Sequence, residues 1–248
     1  MVIGIAIGAF VGLIGVELVL LSRREFLPTN PGYRIDMVVP APDGSTEDPL
    51  HLAVLGDSTV AGVGSPDAAG ALPTLIAERV ALGANRPVRV VGHGVSGART
   101  ANVLNEQLAG VSSDVDAVVI VIGSNDSTHA TPWLRLRADT EAMLSRATDG
   151  GAVVVLAGTP RFNSNEIIPE PLRTMVDRYS GLLRGEQRAA VESVPGSRFV
   201  DLAAEASPRF VGVPEATSVD GFHPSPIGYG FWADALAPSV VAGLTAEG

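Results

Sequence analysis

Four short polar segments hold the residues of this 248-residue sequence whose types and spacing could support chemistry. In Gly56-Asp57-Ser58 the glycine lets the chain turn sharply off an apolar run, so that Ser58 begins the next segment, where backbone N–H groups favour developing negative charge. In Asp220-Gly221-Phe222-His223 a carboxylate precedes an imidazole in one loop. Such an aspartate can bond the ring, fix its tautomer and leave Nε2 free as a base. A serine that only caps a turn is the alternative interpretation of Ser58.

The other two segments are rich in glycine. In Gly123-Ser124-Asn125-Asp126 the Asn125 amide could donate to an oxyanion without titrating, and an asparagine in a tight turn is the alternative. The segment 92–97 (GHGVSG) matches the dinucleotide pattern G-x-G-x-x-G and nearly matches G-x-S-x-G, which makes Ser96 a rival nucleophile to Ser58. Neither interpretation is favoured, because no acid follows at the dinucleotide spacing and Gly97 comes one residue too early.

The composition excludes several classes of protein and site. The formal net charge is -10, which argues against nucleic-acid binding, and all 17 basic residues are arginines, so a catalytic lysine is absent. There is no cysteine, which excludes thiol nucleophiles and thiolate metal sites. No histidine pair has metal-ligand spacing, so we expect neither a metal nor a cofactor.

From residue 50 onward, short apolar runs alternate with helical patterns. Two of the runs are β-branched and apolar at successive positions, which is typical of strands buried on both faces of a parallel sheet. The predicted strands are Leu50–Leu55, Val88–Val91, Ala117–Ile122, Ala152–Ala157 and Arg198–Leu202. The predicted helices open at Pro73, near Arg99 and after Thr131 as N-cap, and cover Leu172–Val191 and Pro226–Leu244. This alternation predicts a three-layer α/β/α sandwich with a mainly parallel sheet of about five strands, and ligands bind such sheets at the carboxyl ends of the strands.

The first 49 residues differ in character from the rest. Val2–Leu21 is an apolar run interrupted only by Glu17 and long enough to span a hydrocarbon core, so residues 1–22 are predicted to be a transmembrane anchor. Residues 23–49 contain several prolines and are predicted to form an extended tether, with the catalytic domain at 50–248. We expect that domain on the cell-envelope side, although Arg23 and Arg24 favour the cytoplasmic side by the positive-inside rule.

Taken together, the four segments resemble the SGNH hydrolase superfamily, also known as GDSL esterases and lipases, over about residues 50 to 245. The resemblance implies a flavodoxin-like fold and cleavage of carboxylic esters by a serine hydrolase. Ser58 would be the nucleophile, and His223, oriented by Asp220, would be general base and then general acid. The oxyanion hole would consist of the Ser58 and Gly97 backbone N–H groups and the Asn125 side chain.

This sequence departs from the superfamily pattern at two positions. Relatives often carry Asn five residues before the glycine of the second block, where this chain has Gly92 followed by His93. The usual Leu after the G-D-S triplet is Thr59 here. Neither change removes a catalytic group, but the first puts the anchoring of the local loop in doubt, and His93 is a candidate substitute.

The loops outside the blocks should determine the substrate. We expect the acyl pocket to lie between Thr159–Leu172 and Ser127–Trp133, and the substrate to be a small-molecule, lipid or glycan ester. Two other functions stay open: an O-acyltransferase with a carbohydrate acceptor, and a non-catalytic envelope-binding module. The expected partners are the ester and, through the N-terminal helix, a membrane.

Overall fold

The computed structural model describes the backbone of residues 2–246 and the side chains of residues 10–246. Within that part of the chain the strands form one six-stranded sheet in the order β1-β3-β2-β4-β5-β6. The strands are β1 Asp36–Val39, β2 Leu50–Gly56, β3 Val88–Gly92, β4 Ala117–Val121, β5 Val153–Ala157 and β6 Ser197–Val200. All neighbouring strands are parallel except β1, which pairs antiparallel with β3 at the edge.

The sixth strand, β1, corrects the predicted count of about five. It lies inside the segment predicted to be an extended tether, with Pro40 directly after it. The four-residue run of β1 is too short, and lies too close to prolines, to show a strand pattern in the sequence. Their hydrogen bonds to β3, with Asp36 opposite Val91 and Val39 opposite Val88, extend the sheet by one edge strand.

Helices cover both faces of the sheet. They are α1 Val2–Ser22, α2 Ser58–Ala61, α3 Leu72–Ala84, α4 Thr100–Asn102, α5 Ser124–Thr128, α6 Trp133–Thr148, α7 Leu172–Ser193, α8 Leu202–Glu205 and α9 Pro226–Ala246. One apolar core packs α3 and α9 on one face, and a second packs α6 and α7 on the other. Successive residues of β4 alternate between the two cores, Val119 on one side and Ile120 on the other, which confirms the α/β class and the double burial of the central strands.

Four predicted helices, α3, α6, α7 and α9, are confirmed with small changes at their ends. Pro73 lies in the first turn of α3, and α9 continues through Pro238. Pro132, not Thr131, is the N-cap residue of α6. The backbone explains this correction, because the Thr131 N–H donates to Asp126 O and the Thr131 carbonyl accepts from the Tyr179 hydroxyl, which holds Thr131 in the preceding loop.

The N-terminal helix α1 lies against the domain through part of its surface. Ile14 and Leu21 pack on a small apolar cluster that includes Ile168 and Leu172, and Glu17 is buried at the same contact. Among the described residues, no helix combines the length and apolarity that a membrane span needs. Met1 and the side chains of residues 2–9, which belong to the predicted anchor, lie outside the described part of the chain, and the anchor stays a prediction.

Candidate active site

The site lies where the strand order of the sheet reverses. From β2 the chain moves outward to β3, and from β3 it returns to β4 on the other side of β2. Ser58 directly follows the Gly56 end of β2, and Asn125 follows the end of β4. Because β2 and β4 are adjacent and parallel, their carboxyl ends meet, and the crevice beyond such a reversal is the usual ligand site of an open α/β sheet.

The turn that presents Ser58 requires a glycine at position 56. Gly56 has φ of +158°, and a Cβ atom there would lie 2.1 Å from the Val121 carbonyl oxygen. Asp57 then caps α2, and its carboxylate accepts the Thr59 N–H at 3.0 Å. Ser58 therefore becomes the first residue of α2, half-buried, with its hydroxyl facing the crevice residues.

The structure brings Ser58, His223 and Asp220 together. His223 Nε2 lies 3.0 Å from Ser58 Oγ, and His223 Nδ1 lies 2.7 Å from Asp220 Oδ2. The loop around the histidine is closed by the Ser218 N–H, which donates to His223 O at 2.8 Å. The hydroxyl, the imidazole and the carboxylate thus form one hydrogen-bonded chain that can pass a proton from Ser58 to His223.

Asp220 is held in its charged form. Burial opposes ionisation, but hydrogen bonds from the His223 ring and N–H, the Phe222 N–H and the Ser218 hydroxyl outweigh burial and lower the pKa of the Asp220 carboxyl far below its ordinary value. A carboxylate fixed in this way orients the imidazole and can stabilise its positive charge.

Two backbone donors lie in the same cavity as the Ser58 hydroxyl. Within the described residues, neither the Ser58 nor the Gly97 N–H donates to a protein acceptor, and both residues line that cavity. Gly97 has φ of +81°, a left-handed conformation that favours glycine. Asn125 lines the cavity too, and its Nδ2 donates to Ala98 O at 3.0 Å and, in a longer contact, to Asp57 Oδ2 at 3.4 Å. The two backbone N–H groups can stabilise an oxyanion, and the Asn125 amide can join them by exchanging its contact with Asp57 Oδ2.

Two aspartates that the sequence analysis did not single out brace these donors. Asp57 Oδ2 lies 3.4 Å from Asn125 Nδ2, and burial raises the pKa of Asp57. Asp126 Oδ2 accepts both the N–H and the hydroxyl of Thr100 at 3.0 Å, which ties the end of β4 to the loop that carries Gly97. The sequence signal that could have identified these two aspartates is their position in the G-D-S and G-S-N-D segments, where each is adjacent to a candidate site residue.

Two cavities meet at Ser58 and His223. The smaller, of about 100 Å³, contains Arg161, Asn165 and Trp232, and the buried Asn165 Oδ1 and Trp232 Nε1 have no hydrogen-bond partner among the described residues. The larger, of about 560 Å³, is mostly apolar. The predicted wall 159–172 contributes to both cavities, and the predicted wall 127–133 contributes Thr128 and His129 to the larger one, whereas Trp133 lines neither.

The rival candidates lie apart from the histidine of the site. Ser96 Oγ donates to Thr29 O at 2.5 Å, and no histidine bonds it within the described residues. The glycine-rich segment 92–97 leads into a helical stretch that begins as α4 and continues through the π-helical turn Val103–Gln107 and the 3-10 turn Leu108–Gly110. His93 lines other cavities, and burial lowers its pKa. His51 pairs with Asp114 at 3.1 Å, and His129 is exposed at the rim of the larger cavity.

Solved structures share this fold. The crystal structure of TesA is 22% identical with a TM-score of 0.61, and the match covers 78% of this chain and 99% of that one. The lipase Lip_vut3 from a goat rumen metagenome is 21% identical with a TM-score of 0.61, and the match covers 77% of this chain and 97% of that one. The lipase/acylhydrolase from Enterococcus faecalis is 22% identical with a TM-score of 0.58, and the match covers 78% of this chain and 96% of that one. At these identities the similarity shows a common fold.

The sequence comparisons go further than the fold. No curated protein matches this chain. The model of the GDSL-like lipase/acylhydrolase family matches residues 54–231, which include all four segments singled out from the sequence and most of the domain that begins at β2. The chain therefore belongs to the GDSL-like lipase/acylhydrolase family, within the SGNH hydrolases, and is a carboxylic ester hydrolase.

Proposed function

We propose that the protein is a serine esterase that forms an acyl-enzyme on Ser58. The observation that carries this proposal is the hydrogen-bonded chain Ser58–His223–Asp220, with distances of 3.0 and 2.7 Å, in a cavity that also contains Gly97, where the Ser58 and Gly97 N–H groups have no partner among the described residues. A serine hydroxyl needs a base within hydrogen-bond reach, and the resulting oxyanion needs fixed donors. Both are present at one end of the sheet.

The proposed reaction runs in two halves. His223 Nε2 takes the proton of Ser58 Oγ as that oxygen attacks the ester carbonyl carbon, and the N–H groups of Ser58 and Gly97 and the Asn125 amide stabilise the oxyanion. The carbonyl re-forms, the bond to the alcohol oxygen breaks, and His223 gives its proton to that oxygen. Water then attacks the acyl-enzyme, gives one proton to His223, and the acid leaves as Ser58 Oγ recovers the proton.

The two cavities suggest which end of the ester lies where. The larger, apolar cavity suits an acyl chain, and the smaller cavity suits a polar alcohol, because Ser124, Arg161 and Asn165 contribute polar side chains to its lining. Asn165→Ala should therefore lower kcat/KM for a glycerol monoester more than for a p-nitrophenyl ester of the same acid. Asn163→Ala, outside the cavity, is the matched control, and equal effects on both esters would contradict the assignment.

Covalent labelling tests the proposed nucleophile. A fluorophosphonate should label the wild-type protein at Ser58, and Ser58→Ala should abolish both labelling and turnover of p-nitrophenyl esters. Ser96→Ala is the matched control and should keep both, since Ser96 makes its hydrogen bond to Thr29 O instead of to a histidine. Peptide mapping that places the label on Ser96 would overturn the proposal. Folded protein that does not react at all would favour a binding module.

Product analysis separates hydrolysis from acyl transfer. The same acyl-enzyme would give the free acid with water and a new ester with a carbohydrate hydroxyl. We expect the free acid to dominate with and without a carbohydrate acceptor. A carbohydrate ester as the main product would show an O-acyltransferase instead.

We further propose that α1 anchors the enzyme to a membrane, with the domain on the cell-envelope side. The proposal is supported by the outward face of α1, where large apolar side chains are exposed at Phe10, Val11, Leu13, Val16 and Leu20. Membrane fractions of cells expressing the full chain should retain the protein through alkaline carbonate washing. External protease should digest the domain in cells whose envelope is opened osmotically while the plasma membrane stays intact. Release by carbonate, or protection of the domain from protease, would contradict this proposal.

A further inference from the structure

We propose that the inner face of the N-terminal segment Leu18–Thr29 is part of the substrate site: it forms one wall of the acyl-binding cavity and selects esters of long acyl chains. This inference rests on the proposed esterase function. It adds a specificity element from a region that precedes residue 54, where the family match begins.

The larger cavity is built from two halves of the chain. Leu18, Leu21 and Phe26 line it from the N-terminal segment, and Ile168, Leu172 and Val176 line it from the loop before α7 and from α7. One end reaches Ser58, Gly97, Asn125 and His223. An acyl group attached to Ser58 Oγ therefore has one apolar space of about 560 Å³ beside it, within the range of about 300–1,000 Å³ usual for ligand pockets.

The chemistry of the cavity lining specifies the ligand. None of its lining residues is an aspartate, glutamate or arginine, and leucine, isoleucine, valine and phenylalanine predominate. A charged headgroup would lose its hydration there without a partner, whereas each methylene of an acyl chain gains from leaving water. The favoured occupant is the hydrocarbon part of the substrate.

The N-terminal segment is fixed to the domain by specific contacts, so the wall is a defined surface. Glu17 is 4% exposed, and its carboxylate accepts the Leu172 N–H at 3.1 Å at the start of α7, where a helix favours negative charge. The Phe26 and Phe222 rings meet edge to face at 5.6 Å, and Phe222 in turn contacts the His223 ring at 5.2 Å. The contact of Glu17 with α7 explains the one charged residue in the apolar run.

The contacts continue after the helix. The Leu27 N–H donates to Asp220 Oδ2 at 3.3 Å, and the Ser96 hydroxyl donates to Thr29 O. The Tyr33 hydroxyl donates to Gly62 O at 2.8 Å. The N-terminal segment is thus attached to Asp220, to the loop that carries Gly97 and, through Tyr33, to the residue that follows α2.

A pair of adjacent tryptophan substitutions in the full-length protein tests the inference. Leu21 faces the cavity, whereas Leu20 is 58% exposed on the outer side of the same helix. All variants are compared in the same detergent. Leu21→Trp should overfill the cavity and therefore lower kcat/KM for p-nitrophenyl decanoate by about ten- to a hundredfold. Its kcat/KM for p-nitrophenyl acetate should stay within about threefold of the wild-type value. Leu20→Trp should leave the decanoate-to-acetate ratio at its wild-type value.

Active-site titration with a fluorophosphonate corrects each value for the folded fraction. If Leu21→Trp does not titrate, the pair Leu18→Trp and Val19→Trp repeats the contrast, since Leu18 lines the cavity and Val19 does not. An unchanged decanoate-to-acetate ratio in the titrating cavity variant, or an equal loss in the outer variant, would overturn the inference while the esterase function stands. Wild-type protein that neither titrates nor cleaves either ester would instead overturn the proposed function.

Discussion

The backbone N–H of Leu27 donates a hydrogen bond to Asp220 Oδ2 at 3.3 Å, across a sequence separation of 193 residues. The same oxygen accepts the His223 ring N–H at 2.7 Å. The segment between α1 and β1 is therefore in direct contact with the carboxylate that orients the candidate base. This contact couples the position of the N-terminal segment to the charge distribution of the site.

Removing the Leu27 N–H should reduce activity without removing any group of the Ser58–His223–Asp220 chain. Leu27→Pro deletes the donor, and we expect kcat/KM for a p-nitrophenyl ester to fall by about three- to tenfold, corresponding to about 1 kcal/mol for one net hydrogen bond. Leu27→Ala keeps the N–H and is the control, and steady-state kinetics on both variants is the measurement. Equal kcat/KM for the two variants would contradict this role for Leu27.

Asn125 should contribute to the transition state more than to substrate binding. Asn125→Ala removes a donor from the proposed oxyanion hole, so kcat should fall by about 10²–10³-fold while KM changes little. Asn105→Ala is the control, since the Asn105 amide donates to Ala101 O on the exposed surface. Steady-state kinetics on both variants checks this. A loss confined to KM would show that Asn125 binds the substrate without stabilising the oxyanion.

Asp220 should stabilise the fold in a pH-dependent way. Because the pKa of its carboxyl is lower in the folded protein than in the unfolded chain, the stabilisation is present at neutral pH and is lost as the pH falls below about 4, toward the folded pKa. The difference in free energy of unfolding between wild type and Asp220→Asn should therefore be larger at pH 7 than at pH 3. Urea denaturation at several pH values measures it, and a constant difference would refute the coupling. At pH 7 we also expect Asp220→Asn to lower kcat by a factor on the order of 10⁴, since the imidazole loses its fixed tautomer.

Two glycine-to-alanine substitutions should change stability in opposite directions. Gly56→Ala would place a Cβ atom 2.1 Å from Val121 O at a φ of +158°, so we expect a loss of more than about 3 kcal/mol or failure to fold. Gly185 lies inside α7 with open space where a Cβ atom would lie, so Gly185→Ala should stabilise the protein by about 0.5–1 kcal/mol. Thermal unfolding of both variants is the measurement. A stable, active Gly56→Ala protein would mean that the turn before Ser58 is not constrained as described.

Local sequence patterns were enough to predict most of the strands and helices of the domain. The β-branched runs of β4 and β5 are apolar at every position because both faces are covered, and that feature is visible without any partner strand. Three of the four polar segments likewise follow strand ends that could be located from periodicity alone, whereas Asp220–His223 lies in the loop before α9. Because carboxyl ends of parallel strands share one edge, periodicity was enough to predict that Ser58 and Asn125 would be neighbours, and the resemblance to the family placed His223 beside them.

Strand β1 shows where local patterns fail. Four residues beside a proline have no periodicity of their own, and their strand conformation depends on the edge that β3 offers. Asp126 shows the same limit in the site, because it acts by accepting hydrogen bonds from Thr100, which is 26 residues away in the sequence. Neither relationship is present in the order of nearby residues.

The sequence by itself determined the α/β class, the family and the residues available for chemistry, because residue type, spacing and hydrophobic period are local properties. Only the tertiary structure decided which serine meets a histidine, that Asp57 contacts Asn125 and Asp126 bonds Thr100, and that the N-terminal segment lines the cavity next to Ser58. These are contacts between distant parts of the chain, and they depend on how the packed sheet and helices place those parts in space.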